Sequence, residues 1–171
     1  WRADLAVTGD MGMVGFEAEF IYSKQTGDDF LADLKKYGAY VDVFAKTEMA
    51  KAGVALFYLS ADAEDGNMAA GSEFDFTILT ENDSLTNAMG GKLYAADIKI
   101  VDKISADAAF AYVKQVDKDQ YEFSFWEVDA GVKYAIDAAT SYTIEGGYQS
   151  YDDTVAKTNT YMVRQVIAVK F

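Results

Sequence analysis

The sequence predicts an all-β fold: an antiparallel, up-and-down sheet of about nine strands. Three observations predict it. Apolar and polar residues alternate with period two in one stretch after another, which places them on opposite faces of extended chain. The 171 residues include no Pro, which suits a chain that is nearly all paired strand, because Pro cannot donate to a ladder. The connections also alternate short and long, so that loop length segregates to one end of the sheet.

The strands follow in order. The first is expected over Trp1–Thr8. Val14, Phe16, Ala18, Phe20 and Tyr22 then alternate with Gly15, Glu17, Glu19, Ile21 and Ser23. Ala39, Val41, Val43 and Ala45 alternate with Tyr40, Asp42, Phe44 and Lys46. Residues 52–60 are apolar on both parities, which leaves their facing open. Tyr94, Ala96, Ile98 and Ile100 alternate with Ala95, Asp97 and Lys99; Ala106, Ala108, Phe110 and Tyr112 alternate with Asp107, Ala109, Ala111 and Val113. Trp126, Val128, Ala130, Val132, Tyr134 and Ile136 alternate with Glu127, Asp129, Gly131, Lys133 and Ala135. Tyr142, Ile144, Gly146 and Tyr148 alternate with Ser141, Thr143, Glu145, Gly147 and Gln149. Short connections are expected near Gly9–Gly12, Glu48–Lys51, Val101–Lys103 and Asp137–Ala139. Longer ones are expected near Lys24–Lys36, Asp62–Gly91, Asp117–Gln120 and Asp152–Asn159.

Composition excludes several functions. There is no Cys and no His, which removes disulfide frameworks, thiolate and imidazole metal sites, and Ser-His or Cys-His catalysis. A net charge of −13 makes nucleic acid an unfavourable partner. Carboxylates two apart, such as Glu17/Glu19 and Glu127/Asp129, share a face wherever a polar face exists, so they do not by themselves indicate a glycosidase. No nucleophile elbow or phosphate-binding glycine loop is present. The run Asp62–Asn67 does not have EF-hand spacing. No catalytic residue, metal or cofactor is expected. No run approaches the ~18 apolar residues of a membrane helix, but a closed sheet crosses a bilayer with only one apolar face per strand.

The last strand carries the most specific signal. Tyr161, Val163, Gln165, Ile167, Val169 and Phe171 form one face, and Met162, Arg164, Val166, Ala168 and Lys170 the other. It is about as long as a strand that crosses a bilayer, roughly 9–11 residues, and it ends on Phe. This ending resembles the terminal strand of Gram-negative outer-membrane β-barrels of porin type. The resemblance implies that Tyr161, Ile167, Val169 and Phe171 serve the barrel assembly machinery as a recognition signal. It implies an up-and-down transmembrane β-barrel in the outer membrane, in contact with lipid and lipopolysaccharide, often as a homotrimer. No signal peptide is visible, so a mature or partial chain is expected.

Counted through the alternating turns, the first and last strands run the same way. Either Trp1 lies mid-barrel and residues 1–171 are the C-terminal part of a larger barrel of roughly 16–18 strands, or strands from Met13 onward close as eight and residues 1–12 are a periplasmic leader. A start at Trp1 inside an apparent strand favours the first. In either case 1–171 reads as a single domain, with residues 62–91 a long acidic outer or constriction loop in which Glu73, Asp75, Glu81 and Asp83 are candidates.

Alternation assigns the interior residues. They are Glu17, Glu19, Asp42, Asp97, Asp107, Glu127, Asp129 and Glu145, against Lys46, Lys99, Lys133 and Arg164. Facing lipid, a midplane Lys or Arg would cost about 2–4 kcal/mol, so these side chains should face water or one another. An open lumen with this acidic surplus predicts a channel for small hydrophilic solutes and ions with mild cation preference. The alternatives are a non-conducting eight-stranded barrel acting as an anchor, scaffold or sheath, and a secreted soluble β-protein that binds an apolar ligand. Tyr22, Tyr37, Tyr58, Tyr112, Tyr134, Tyr151, Tyr161 and Phe171 fall near strand ends, where interfacial girdles sit.

Overall fold

The computed structural model describes residues 1–25, 34–60, 87–116 and 122–170. The chain forms β1 (Arg2–Asp10), β2 (Val14–Gln25), β3 (Leu34–Lys46), β4 (Lys51–Leu59), β5 (Ala88–Val101), β6 (Ile104–Gln115), β7 (Phe123–Ala135), β8 (Thr140–Asp153) and β9 (Lys157–Val169). They make one sheet in sequence order, each strand antiparallel to the next. Among the described residues no ladder joins β9 to β1 or β2, and β1 pairs with β2 along its whole length. The eight-stranded closure with residues 1–12 as a leader therefore does not form.

Turn chemistry explains the tight connections at one end, 11–13, 47–50, 102–103 and 136–139. Thr47 Oγ1 accepts the N–H of Met49 and of Ala50 at 3.2 and 3.1 Å. Asp137 Oδ1 accepts those of Ala139 and Thr140 at 2.8 and 2.7 Å, the Asx geometry that lets a side chain close its own turn. Those two bonds hold the Asp137 carboxyl below its ordinary range. The same device corrects one expectation at the opposite end. Asp153 Oδ1 accepts from Val155 and Ala156 at 2.7 and 2.8 Å, so the longer loop expected over 152–159 contracts to residues 154–156. Residues 88–91, expected in the long acidic loop, belong to β5.

Residues directly opposite in an antiparallel ladder share a face, so the eight registers connect the faces across the whole sheet. One face runs through Leu5, Phe20, Ala39, Tyr58 and, beyond β5, Phe110, Val128 and Tyr148. The other runs through Thr8, Glu17, Asp42, Ala55, Lys92, Ala111, Glu127 and Gln149. The ambiguous strand β4 is thereby resolved: Val54, Leu56 and Tyr58 join the first face, and Gly53, Ala55, Phe57 and Leu59 the second.

Alternation fails on β5, whose ladder with β6 slips twice, between Ala95 and Ile98 and again between Lys99 and Val101 beside the turn. At the first slip Asp97 takes φ 53° and donates its N–H to Asp107 Oδ1 at 2.7 Å. A bulge of this kind adds a residue to one strand and inverts its facing beyond that point. Tyr94 therefore points to the polar face with Lys92, while Ile98, on the far side of the bulge, keeps to the apolar one. The expected grouping of Tyr94 with Ile98 is wrong for that reason.

The buried side chains lie almost entirely on the polar face; Ser60 and Ser150 are the exceptions. A single sheet has no second layer to pack on, so its side chains cover one another only on the face toward which it curls. The polar face is the concave one. The convex face leaves its large apolar groups bare, as with Leu93 at 57 %, Val128 at 45 % and Ile167 at 69 % exposure. An apolar surface of that extent is unsuited to water and suited to hydrocarbon.

Aromatic rings band the convex face in its loop-end half. Trp1 packs on Tyr22 at 5.1 Å between centroids, Tyr37 stacks on Tyr58 at 5.7 Å, and Trp126 meets Tyr148 at 5.3 Å. Tyr22 lies opposite Tyr37, Tyr112 opposite Trp126, and Tyr148 opposite Tyr161, which links the pairs into a belt. Tyr134 lies opposite Tyr142 toward the turn end. Tyr151 departs from the expectation: it sits on the concave face against Phe123 and Phe125.

Candidate functional site

The concave face gathers the polar residues that the sequence singles out. Glu17 lies opposite Asp42, Glu19 opposite Tyr40, Lys99 opposite Ser105, Asp107 opposite Gly131 and Lys133 opposite Thr143. Glu145 lies opposite Arg164 and its carboxylate accepts the Arg164 Nε–H. Asp97 stands apart, because it occupies the bulge rather than a regular position on either face. Glu73, Asp75, Glu81 and Asp83 lie outside the described residues, as does Phe171. Tyr161, Ile167 and Val169 are on the convex side of β9.

Three regions of this face differ in chemistry. Toward the turn end, β1 to β5 bring together Asp10, Asp42, Phe44, Lys46, Lys51 and Tyr94. Lys46 and Lys51 face each other directly, an unfavourable like-charge pairing. They are drawn to different carboxylates: Lys46 Nζ pairs with Asp10 Oδ2 at 2.7 Å, and Lys51 Nζ lies 3.9 Å from Asp42 Oδ2. Tyr94 donates its hydroxyl to the same Asp42 oxygen at 2.7 Å. Lys51 Nζ also stands 3.8 Å from the Phe44 ring centroid.

In the middle of β7 to β9, carboxylates dominate. Glu127 is fully buried and accepts from Gln149 Nε2 at 3.1 Å, and Asp129 is 6 % exposed. Their cross-strand neighbours are Ala111 and Ala109 on β6, whose short side chains leave room for the carboxylates. Toward the loop end the face turns apolar: Phe57, Leu59, Val113 and Phe125 form a buried cluster with Ala55, Ala88 and Ala111, and Tyr40, Phe123 and Tyr151 pack against it.

The sequence reading misses part of this face. Arg2, Asp4 and Asp10 are on it because β1 pairs with β2, and Lys51 because β4 pairs with β3. Lys92 and Tyr94 are on it because β5 starts earlier than expected and is bulged. The signal that could find Lys92 is the alternation of Met89, Gly91 and Leu93 against Gly90, Lys92 and Tyr94, which begins before the expected strand start. With these bases included, the acidic surplus is smaller than the first set of residues suggests.

Among the described residues no group of three or more acids could hold a metal ion. The arrangement can bind and orient ions.

A curved antiparallel sheet, apolar outside and polar inside, with tight turns at one end, is the architecture of a transmembrane β-barrel wall. Solved structures support that class. The chain is similar to OccK1 (OpdK) of Pseudomonas aeruginosa, with a TM-score of 0.66 at 12 % identity over 98 % of this chain and 47 % of that one. The same values hold for OpdK solved with vanillate. A BenF-like porin from Pseudomonas fluorescens Pf-5 gives 0.58 at 12 % identity, over 99 % of this chain and 47 % of that one. No protein-family model and no curated protein matches the chain. The likeness is one of fold: the nine antiparallel strands among the described residues correspond to about half of a porin barrel, the barrel type of Gram-negative outer membranes.

Proposed function

We propose that the chain forms part of the wall of an outer-membrane channel for passive diffusion of small hydrophilic solutes and ions, with mild cation preference and no covalent step. The observation that carries this reading is the facing of the strands. Eleven of the twelve charged residues expected inside share the concave face, Asp97 in the bulge being the twelfth, while the convex face carries no charge between its ends and is apolar there except at Gln165. The lining residues proposed are those eleven together with Lys51, Lys92 and Tyr94. Glu127, Asp129 and Glu145 supply the cation preference, as negative charges in a confined wall. β1 and β9 both run from the loop end to the turn end, so antiparallel completion takes an odd number of further strands and gives an even total. The partners that go with this reading are lipopolysaccharide at the aromatic belt, the barrel assembly machinery at β9, and further copies in a trimer.

Planar-bilayer conductance of the full-length protein in a salt gradient tests it. The expected result is a stable conductance with a cation-biased reversal potential, which moves toward zero when Glu127, Asp129 and Glu145 are changed to Gln, Asn and Gln. Zero conductance removes the channel, and an anion-biased potential removes the cation preference. A second reading has its own support in Lys46, Lys51 and Lys92 and in the apolar loop-end cluster. Those features suit an aromatic carboxylate such as the vanillate found with OpdK. Conductance reduced by vanillate and not by benzyl alcohol would favour it.

A further inference from the structure

We propose that Phe44, Tyr94 and Asp42 form a seat for an alkylammonium group, and that the protein's own Lys51 occupies it in the absence of such a solute. The inference deepens the channel reading and rests on the concave face being accessible from the lumen. The seat already holds an ammonium. Lys51 Nζ is 3.8 Å from the Phe44 centroid, 5.3 Å from that of Tyr94 and 3.9 Å from Asp42 Oδ2. Cations within about 6 Å of a ring centroid are attracted by the ring quadrupole, more strongly away from bulk water. The Tyr94 hydroxyl, bonded to Asp42 Oδ2 at 2.7 Å, fixes the carboxylate beside the rings.

Two glycines make the seat possible. A Cβ on Gly15 would stand 2.4 Å from the Phe44 ring, and one on Gly53 would stand 2.7 Å from the Tyr94 ring. Neither glycine has positive φ, so the backbone does not require them. They are there so that both rings can lie down on the strands beside them.

Lys51 fits the role of an exchangeable occupant. Its neighbour Lys46 stands farther from the same ring, 5.0 Å from the Phe44 centroid, and is held in a close ion pair with Asp10, whereas Lys51 meets its carboxylate only at 3.9 Å. Asp42 is 7 % exposed, and its buried Oδ1 has no hydrogen-bond partner among the described residues. A carboxylate offers about four acceptor positions, so Asp42 retains capacity for an incoming N–H donor. A solute ammonium that enters finds two ring faces and a carboxylate, and Lys51 swings into the lumen. One cation replaces another, and the charge of the site is unchanged.

The test uses the full-length protein in detergent micelles, with lysines reductively labelled as ¹³C-dimethylammonium, which keeps their charge. The Lys51 methyl resonance, identified by its loss in Lys51→Gln, is expected upfield because of the Phe44 ring current. Added n-butylammonium chloride should move it to the position of free lysine, while KCl at equal ionic strength should not. By calorimetry, Lys51→Gln should bind n-butylammonium about five- to tenfold more tightly, because the nearest internal competitor is gone while Lys46 and Lys92 stay at 5.0 and 5.5 Å from the rings. Phe44→Leu, in protein that retains heat-modifiable migration, should lose most of that binding. A Lys51 resonance that neither salt moves, or that both move alike, overturns the seat. A conducting protein without displacement keeps the channel and loses the seat; displacement in a non-conducting protein keeps the seat and loses the channel.

Discussion

The two faces of this sheet are made from the same strands, yet different requirements select their residues. On the convex face, Leu5, Val54, Leu93, Phe110 and Ile144 share little beyond being apolar and bare. Their surroundings have no fixed shape, since lipid chains conform to whatever they meet, and any residue of suitable polarity satisfies them. On the concave face each residue answers to a particular neighbour. Asp42 holds the Tyr94 hydroxyl, Asp10 holds Lys46, and Gly53 lies beneath the Tyr94 ring. The convex face is thus specified by polarity and the concave face by contacts.

Adjacent residues on β6 give the sharpest test of this difference. Phe110→Lys should destabilise the folded protein by about 2–4 kcal/mol or more, measured by reversible denaturant unfolding in lipid vesicles, because it places an ammonium against hydrocarbon. Ala109→Lys carries the same charge to the opposite face, between Tyr94 and Asp129. It crowds the space beside Asp129 but keeps its ammonium with that carboxylate, so it should cost clearly less than Phe110→Lys and lower the cation preference of the channel. Equal destabilisation of the two variants would break the comparison.

Shape supplies the next largest effect. Gly53→Ala brings a methyl to 2.7 Å from the Tyr94 ring and 2.9 Å from Phe44 Cβ. The ring can tilt, but Phe44 Cβ moves only with β3, so the substitution should cost about 1–3 kcal/mol in the same unfolding measurement. Val54→Ala, one residue away on the convex face, changes the volume more, but lipid fills the space it leaves. It should cost less than Gly53→Ala. The reverse order would mean that the concave contacts are not specific.

This contrast also explains what the sequence could reveal. Alternation reports polarity, and polarity is what the convex face requires, so the facing of β2, β3, β6, β7, β8 and β9 was legible directly. Strand β4 was not, because Ala55, Phe57 and Leu59 make the concave side apolar where the loop-end cluster forms. Pairing with β3 decided it. The parity of β5 does not follow from its own residues, because the Asp97 bulge is a tertiary device, stabilised by a carboxylate from β6, and nothing within β5 announces it. The charged wall residues were visible one by one. The grouping of Tyr94 with Asp42 was not, since it joins positions 52 residues apart through two ladders.

One convex residue departs from the polarity rule and should produce a smaller effect. Gln165 faces outward between Val163 and Ile167, and its Oε1 accepts the Tyr142 hydroxyl at 2.7 Å. Interhelical bonds of this type in membranes average about 0.6 kcal/mol, and a comparable figure is expected between strands. Tyr142→Phe should therefore lower unfolding stability by about 0.5–1.5 kcal/mol by stranding the amide. Gln165→Leu should be neutral or stabilising, and it should abolish the effect of Tyr142→Phe in the double variant. If Gln165→Leu were itself as costly as Tyr142→Phe, the convex face would require a contact as well as polarity.

The smallest effect belongs to neither face but to the turns that set them in register. Asp137 accepts two backbone N–H bonds, from Ala139 and Thr140, and these favour its charged form. A carboxyl whose folded pKa lies below its unfolded value binds fewer protons when folded. The stability it adds is complete above the unfolded value, for which 3.8 is the reference, and disappears as pH falls through the folded one. Acidification should thus speed opening of the β7–β8 turn, read as faster amide hydrogen exchange at Ala139 and Thr140 after correction for intrinsic rates. In Asp137→Asn, which keeps an acceptor oxygen but does not titrate, protection of those amides should be flat across the same acid range. A wild-type turn equally flat in acid would assign its closure to Thr140 O, which accepts the N–H of Ile136 at 3.0 Å, rather than to the carboxylate.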